Sequence, residues 1–269
     1  MYILKKVKRK LQLILNKDYW KLKNNIILIY NASKVGSSTV YFNLKERLPF
    51  VEILHVHFLS ERWLTEFKTS GKWLNNIKTA TKVKNLLSKN SNSRIKIITL
   101  VRDPIARDIS AVFQSWDVIF GIKNINELNG DMIQSHLMKS DFNQTENWFK
   151  TEFKDWTEID ILKLPFNKQR GFAIYNLKEY DILCLKLESL NENMEKAIEE
   201  FLGIKGIKKE VKNISNKKEI AVLYNEIKDS FRLPKNQLNK IYENEFITHF
   251  YTDDEIIYFK NKWGEKKKV

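Results

Sequence analysis

An α/β fold, a three-layer sandwich with a central, mainly parallel sheet, is what the sequence predicts, and three observations predict it. A short, continuous apolar run at Ile26–Tyr30 (IILIY) is the mark of a strand buried on both faces, and Ile95–Val101 (IKIITLV), apolar but for Lys96 and Thr99, reads as another buried strand. Strand, polar loop and helical stretch recur three times in the first 120 residues, the alternation of a parallel sheet whose ligands bind at the carboxyl ends of its strands. Only 4 Pro and 8 Gly interrupt 269 residues that are 43% hydrophobic, which excludes collagen-like, mucin-like and linker-like chains and supports a sizeable core.

The elements follow in order. Residues 1–23 place Leu4, Val7, Leu11 and Ile14 on one stripe among Lys5, Lys6, Lys8, Arg9 and Lys10, a basic amphipathic helix. Docking on the domain is its first reading and contact with a membrane surface its second. After Ile26–Tyr30 comes the polar loop Asn31, Ala32, Ser33, Lys34, Val35, Gly36, Ser37, Ser38 and Thr39, then a helix carrying Val40, Phe42, Leu44 and Leu48. Residues 51–58 (VEILHVHF) form a second strand, 61–68 and 77–89 helices, and Ile95–Val101 a third strand, ending at Arg102, Asp103 and Pro104. These open a helix through Ser110 to about Trp116, with Pro104 suited to its first turn. About 122–160 reads as a helical insertion over the active face, 180–187 (YDILCLKL) as a returning strand, and 191–202 as a helix stopped by Gly203. Helices punctuated by Pro234 and Thr252 complete a single domain spanning 24–269, with no internal repeat.

The 47 Lys and Arg against 33 Asp and Glu give a charge of +14. That balance suits an anionic partner, whether nucleic acid, phosphorylated small molecule, acidic glycan or anionic lipid, yet Lys spread over a solvated surface needs none. The single cysteine, Cys184, closes no intrachain disulfide, and a reducing, cytoplasmic setting fits it. No run reaches the ~20 apolar residues of a membrane span, and no secretory signal pattern opens the chain. The sequons at Asn143 and Asn213 are expected by chance in so Asn-rich a chain.

Two clusters carry chemistry. In the first loop, Gly36 permits close backbone approach, Ser37, Ser38 and Thr39 add hydroxyls at a helix start, and Lys34 supplies a mobile cation. Phosphate site and ordinary serine-rich cap are equally served by that loop alone. It is not the nucleotide-triphosphatase loop, whose lysine follows the second glycine. The second cluster pairs Arg102 with Ser110, eight residues on, an arginine fork and a hydroxyl able to grip a second phosphate. His55 and His57 share one face near the carboxyl end of the second strand, where an imidazole serves either as a base or as a satisfied buried group.

The run Ser33-Lys34-Val35-Gly36-Ser37-Ser38-Thr39 resembles the 5′-phosphosulfate loop of sulfotransferases that use 3′-phosphoadenosine-5′-phosphosulfate (PAPS), and 100–110 (LVRDPIARDIS) resembles their 3′-phosphate segment. Residues 185–190 with 201–204 are similar to a late structural stretch of that family, and His249-Phe250-Tyr251 through Trp263 to a bacterial branch of capsular polysaccharide synthesis proteins. Ser33 stands where many members carry proline, and a glycine-rich, arginine-containing segment near the C-terminus is lacking; Asn213, Ser215, Lys217 and Lys218 match it only as well as chance allows.

The resemblance implies a P-loop, Rossmann-like sulfotransferase fold and sulfuryl transfer from PAPS, without a metal, to a hydroxyl of a capsular or cell-surface glycan, with no nucleic-acid partner. It implies that Lys34, Gly36, Ser37, Ser38 and Thr39 hold the 5′ end and Arg102 with Ser110 the 3′-phosphate. His57 is then the general base and His55 its orienting neighbour, with Glu52 and Glu61 as runners-up. Trp116, Trp148 and Trp156 are candidates for stacking on sugar, and Arg107 and Arg170 for an acidic acceptor or the cofactor, though helical aromatics usually belong to the core and a surface pair is the first reading of the arginines. A nucleotide kinase or triphosphatase, and a non-catalytic glycan- or membrane-binding protein, are the rival functions.

Overall fold

The computed structural model describes residues 16–71, 73–89, 94–177, 179–207 and 218–265, the side chains of 218 and 219 excepted. Most of the expected N-terminal amphipathic helix lies outside these residues, as do Asn213, Ser215 and Lys217. Its described end is α1 (Lys17–Leu22), opened by Asn16, whose side chain accepts from the Tyr19 amide. Among the described residues no helix is long and apolar enough to cross a membrane.

From there the chain runs β1 (Ile26–Tyr30), α2 (Ser37–Arg47), β2 (Ile53–Val56), α3 (Glu61–Ser70), α4 (Leu74–Lys89), β3 (Ile95–Val101) and α5 (Pro104–Val112). It continues through α6 (Trp116–Phe120), α7 (Gly130–Leu137), α8 (Gln144–Trp148), one π-helical turn at Phe149–Phe153 and α9 (Lys154–Thr157). The antiparallel pair β4 (Phe172–Asn176) and β5 (Tyr180–Lys186) precedes α10 (Leu190–Leu202), α11 (Lys218–Ser230), α12 (Lys235–Tyr242), α13 (Glu245–Phe250) and α14 (Asp253–Trp263).

Five strands in the order β2-β1-β3-β5-β4 form one sheet flanked by helices, parallel throughout except for the β4 edge. All five residues of β1 are buried, as an interior parallel strand requires. The β4 strand was not foreseen. Its sequence, FAIYN, is half-exposed at an edge and lacks the continuous apolar signature of its neighbours.

The topology positions the site. From β1 the chain crosses to β2 on one side; from β2 it crosses back over β1 to β3 on the other. Between strands whose connections leave in opposite directions a crevice opens at the carboxyl ends. Here it is bordered by the loop after β1 and by Arg102 after β3. The helical segments of 122–160 hold the end of β2 through hydrogen bonds from Trp148 and to Glu152.

Candidate active site

Gly36 turns the chain from the loop into α2 with φ +85°, in the left-handed region that favours glycine. A Cβ there would also meet the Leu187 side chain, which would have to shift, so it is the backbone that calls for glycine. The turn leaves the first amides of α2 facing the crevice end of the helix, with no acidic residue in that first turn. Thr39 N–H is occupied by the Gly36 carbonyl. Ser37 is buried, and Ser38 and Thr39 are half-buried.

Lys34 also has a left-handed backbone, φ +67°. Its carbonyl accepts a 2.8 Å hydrogen bond from Arg102 Nη1, so the two predicted clusters meet directly. Arg107 fastens the loop one residue earlier: its Nε donates to the Ser33 carbonyl (3.1 Å) and its Nη2 to Ser33 Oγ (2.7 Å), while its Nη1 pairs with Asp108. A serine at 33 is thereby used as a ligand for Arg107. Burial first, then the guanidinium groups of Arg102 and Arg107, push the Lys34 ammonium below the ordinary lysine range. Among the described residues neither Lys34 nor Arg102 is ion-paired with a carboxylate. Ser110 stands half-buried two turns into α5.

The two histidines differ in circumstance. His57 Nδ1 lies 2.7 Å from the Asn31 carbonyl, which can only accept, so Nδ1 carries the proton and Nε2 keeps its lone pair. Burial lowers the His57 pKa, the Asn31 hydrogen bond opposes the change, and Arg107 adds to it. The ring is therefore neutral at neutral pH. His55 shares a 2.9 Å hydrogen bond between its Nε2 and Ser37 Oγ, and burial followed by His57 lowers its pKa to about 3. That contact resembles a nucleophile and its base, but an imidazole so weakly basic cannot draw a proton from a hydroxyl, and Ser37 is only 4% exposed. The two imidazoles meet edge to face at 4.9 Å.

Several residues that hold this arrangement carried no local signal. Asn31 is fully buried: its Nδ2 donates to Ile98 O, its Oδ1 accepts from Leu100 N–H, and its carbonyl fixes His57, so one side chain joins the ends of β1 and β3. Asn76 of α4 accepts from the amides of His57 and Phe58 and donates to Phe58 O. Trp148 Nε1 donates to the His57 carbonyl at 2.7 Å. The π turn brings Glu152 to the start of α3, where its buried carboxylate accepts from Tyr30 Oη, Leu59 N–H, Ser60 N–H and Ser60 Oγ.

The Arg102 side is anchored from the far end of the chain. Asp103 caps α5 and accepts from Tyr242 Oη (2.5 Å) and Trp263 Nε1 (2.8 Å). Glu188 accepts from the Asp103 amide (2.8 Å) and from Tyr251 Oη (2.9 Å). Asp103 is buried, whereas Glu188 keeps part of its surface exposed; loss of hydration at the carboxyl pushes both upward against the hydrogen bonds that favour the ionised form.

Other candidates are committed elsewhere. Glu52 precedes β2, at the end opposite His57, and pairs with Lys82; Glu61 pairs with Lys84. Trp148 is buried, and half-buried Trp156 packs on Tyr30 and Tyr180. Trp116 is half-buried against the core. Arg170 pairs with Glu200 and covers the Phe172 ring. A cavity of about 190 Å³ behind α5 is lined by Arg107, Asp108, His136 and Ser140 among others, whereas a broader concavity of about 860 Å³ at Asp18, Arg47 and Phe50 sits at the opposite end of α2 from the loop.

Comparison with known proteins gives one family. The profile of the NKWYS family, described as putative capsular polysaccharide synthesis protein, matches residues 117–252. That span contains Trp148, Glu152, Glu188, Tyr242 and Tyr251, while the Lys34 loop, the histidines and Arg102 precede it. No curated protein and no solved structure matches the chain. With half of its length under that profile, the chain belongs to the NKWYS family.

Proposed function

We propose that this protein is a sulfotransferase that moves the sulfuryl group of PAPS to a hydroxyl of a capsular or cell-surface glycan, on a P-loop sulfotransferase fold. One observation carries the reading: Lys34, Arg102 and Arg107 converge on one loop at a sheet crevice, where Asp108 answers Arg107 while Lys34 and Arg102 keep a positive field that no carboxylate of the described residues pairs with. A dianionic phosphate end is the ligand chemistry that such a field, together with the amides of α2, would stabilise. The NKWYS membership supports a glycan as the acceptor.

In this reading Lys34, Gly36, Ser37, Ser38 and Thr39 receive the 5′-phosphosulfate, and Arg102 with Ser110 the 3′-phosphate. The acceptor oxygen forms a bond to sulfur as the bond from sulfur to the phosphate oxygen breaks, releasing 3′-phosphoadenosine 5′-phosphate. His57 Nε2 accepts the hydroxyl proton, because Nδ1 is engaged by Asn31. Lys34 neutralises charge gathering on the departing phosphate oxygen. His55, too weakly basic to take the proton, holds Ser37 and packs against His57.

The test is a thermal shift followed by transfer. At a hundredfold over its Kd, 3′-phosphoadenosine 5′-phosphate should add about 2.7 kcal/mol, raising Tm by roughly 5–11 °C, while ATP with magnesium does not. Radiolabelled sulfate should then pass from PAPS to at least one member of a capsular polysaccharide panel. A shift with ATP and magnesium alone, and none with the bisphosphate, overturns the reading in favour of a nucleotide kinase or triphosphatase.

A further inference from the structure

We propose that Trp73 is the acceptor platform: its indole takes the apolar face of a pyranose ring of the glycan beside the His57 imidazole. The proposal rests on the reading of His57 as the base that meets the acceptor. Trp73 lies in the short connection between α3 and α4, on the crevice side of β2. It is 42% exposed, yet its ring is fixed edge to face against His57 at 5.6 Å and against Phe58 at 5.2 Å. Phe67 supports it at 5.9 Å with an interplanar angle of 30°, and Trp63 stacks on Phe67 behind.

Two facts separate this residue from an ordinary exposed apolar side chain. Its backbone is left-handed, φ +55°, a conformation that glycine or asparagine adopts easily and a bulky residue rarely does. A structural turn there has no need of tryptophan. The other exposed tryptophan, Trp20, lies in α1 and packs with Tyr19, away from the histidines. Trp73 thus presents a rigid aromatic surface, held by three other rings, at the edge of the proposed base.

Sugars suit that surface. One face of a pyranose carries axial C–H groups that pack on an aromatic ring, while its equatorial hydroxyls extend sideways, where His57 Nε2 can meet one of them. An acidic and a neutral saccharide are set against each other in the test, since a chain of +14 net charge attracts polyanions in general.

The experiment compares wild type, Trp73→Phe and Trp73→Gly. Saturation-transfer-difference NMR is recorded with an octasaccharide of alternating glucuronic acid and N-acetylglucosamine and with cellohexaose. Binding of 3′-phosphoadenosine 5′-phosphate is followed separately by thermal shift. Wild type should bind the acidic octasaccharide through ring C–H protons, Trp73→Gly should weaken it about tenfold, and Trp73→Phe should retain most of it. Trp73→Gly relieves the left-handed backbone but forfeits the three ring contacts, so its Tm should fall by a few degrees while its response to the bisphosphate matches wild type. The platform is overturned if Trp73→Gly binds the octasaccharide as wild type does, if wild type binds neither saccharide, or if Trp73→Phe loses binding as fully as Trp73→Gly. Loss of the bisphosphate response in wild type instead strikes the donor reading and leaves the saccharide comparison intact.

Discussion

At the scale of single residues, the His57 ring shows how a backbone atom sets a chemical role. The Asn31 carbonyl holds Nδ1–H and thereby makes Nε2 the free basic atom, while burial keeps the ring neutral. The acid limb of kcat/KM should therefore fall below pH 6.5, the ordinary histidine value, with a plateau through neutrality; a limb centred above about 6.5 contradicts this. His57→Ala should lower kcat roughly 100- to 10,000-fold with bisphosphate binding intact. The same depressed pKa has a sign in stability. Unfolded His57 takes up a proton near pH 6.5 and folded His57 resists until lower pH, so its contribution is complete above about 6.5 and lost as pH falls through the folded value.

Between residues and the whole lie the elements, and here the insertion around the π turn matters most. Trp148 and Glu152 are four residues apart, so they reach the same stretch of chain after β2 from one helix face. Glu152 supplies a carboxylate where α3 begins, and four donors depend on it. Glu152→Ala should cost about 3 kcal/mol or more, lowering Tm by roughly 6–12 °C, because those donors are left buried without an acceptor. Glu152→Gln should recover part of the loss, and differential scanning calorimetry distinguishes the two.

Legibility from sequence followed the range of the interaction. The strands β1 and β3 could be read because burial on both faces writes a continuous apolar run. The loop at Gly36 could be read because a left-handed turn demands glycine within a few residues of its hydroxyls. Asn31 and Glu152 could not, since their partners lie 67 to 122 positions away and a buried Asn or Glu looks in sequence like any polar residue of a Lys- and Asn-rich chain. Trp73 is illegible for a similar reason: its exposure and its ring contacts are properties of the folded turn, and no local sequence pattern marks them.

Over the whole molecule, the Asp103 and Glu188 pair joins the sheet to the C-terminal helices α12 to α14. Loss of hydration raises both carboxyls, that of buried Asp103 and that of the partly exposed Glu188, so the folded state keeps protons to higher pH than the unfolded chain, whose carboxyls titrate near 4. Their contribution to stability is thus complete below about pH 4 and declines as pH rises through the folded values. Glu188→Gln should flatten the stability–pH curve above that point, as measured by urea denaturation between pH 4 and 7. An unchanged slope argues that other groups govern the curve. Trp263→Phe removes one donor from Asp103 and should cost about 1–3 kcal/mol, with weaker bisphosphate binding because the adjoining Arg102 loses its support.

The same tie bears on how the protein matures during synthesis. Asp103 leaves the ribosome some 160 residues before the indole that holds it. A nascent chain that has already paired its parallel strands still lacks Tyr242, Tyr251 and Trp263, so Asp103 and Glu188 are without those donors. The seat of Asp103 is therefore completed only once the final helix has been made and has docked.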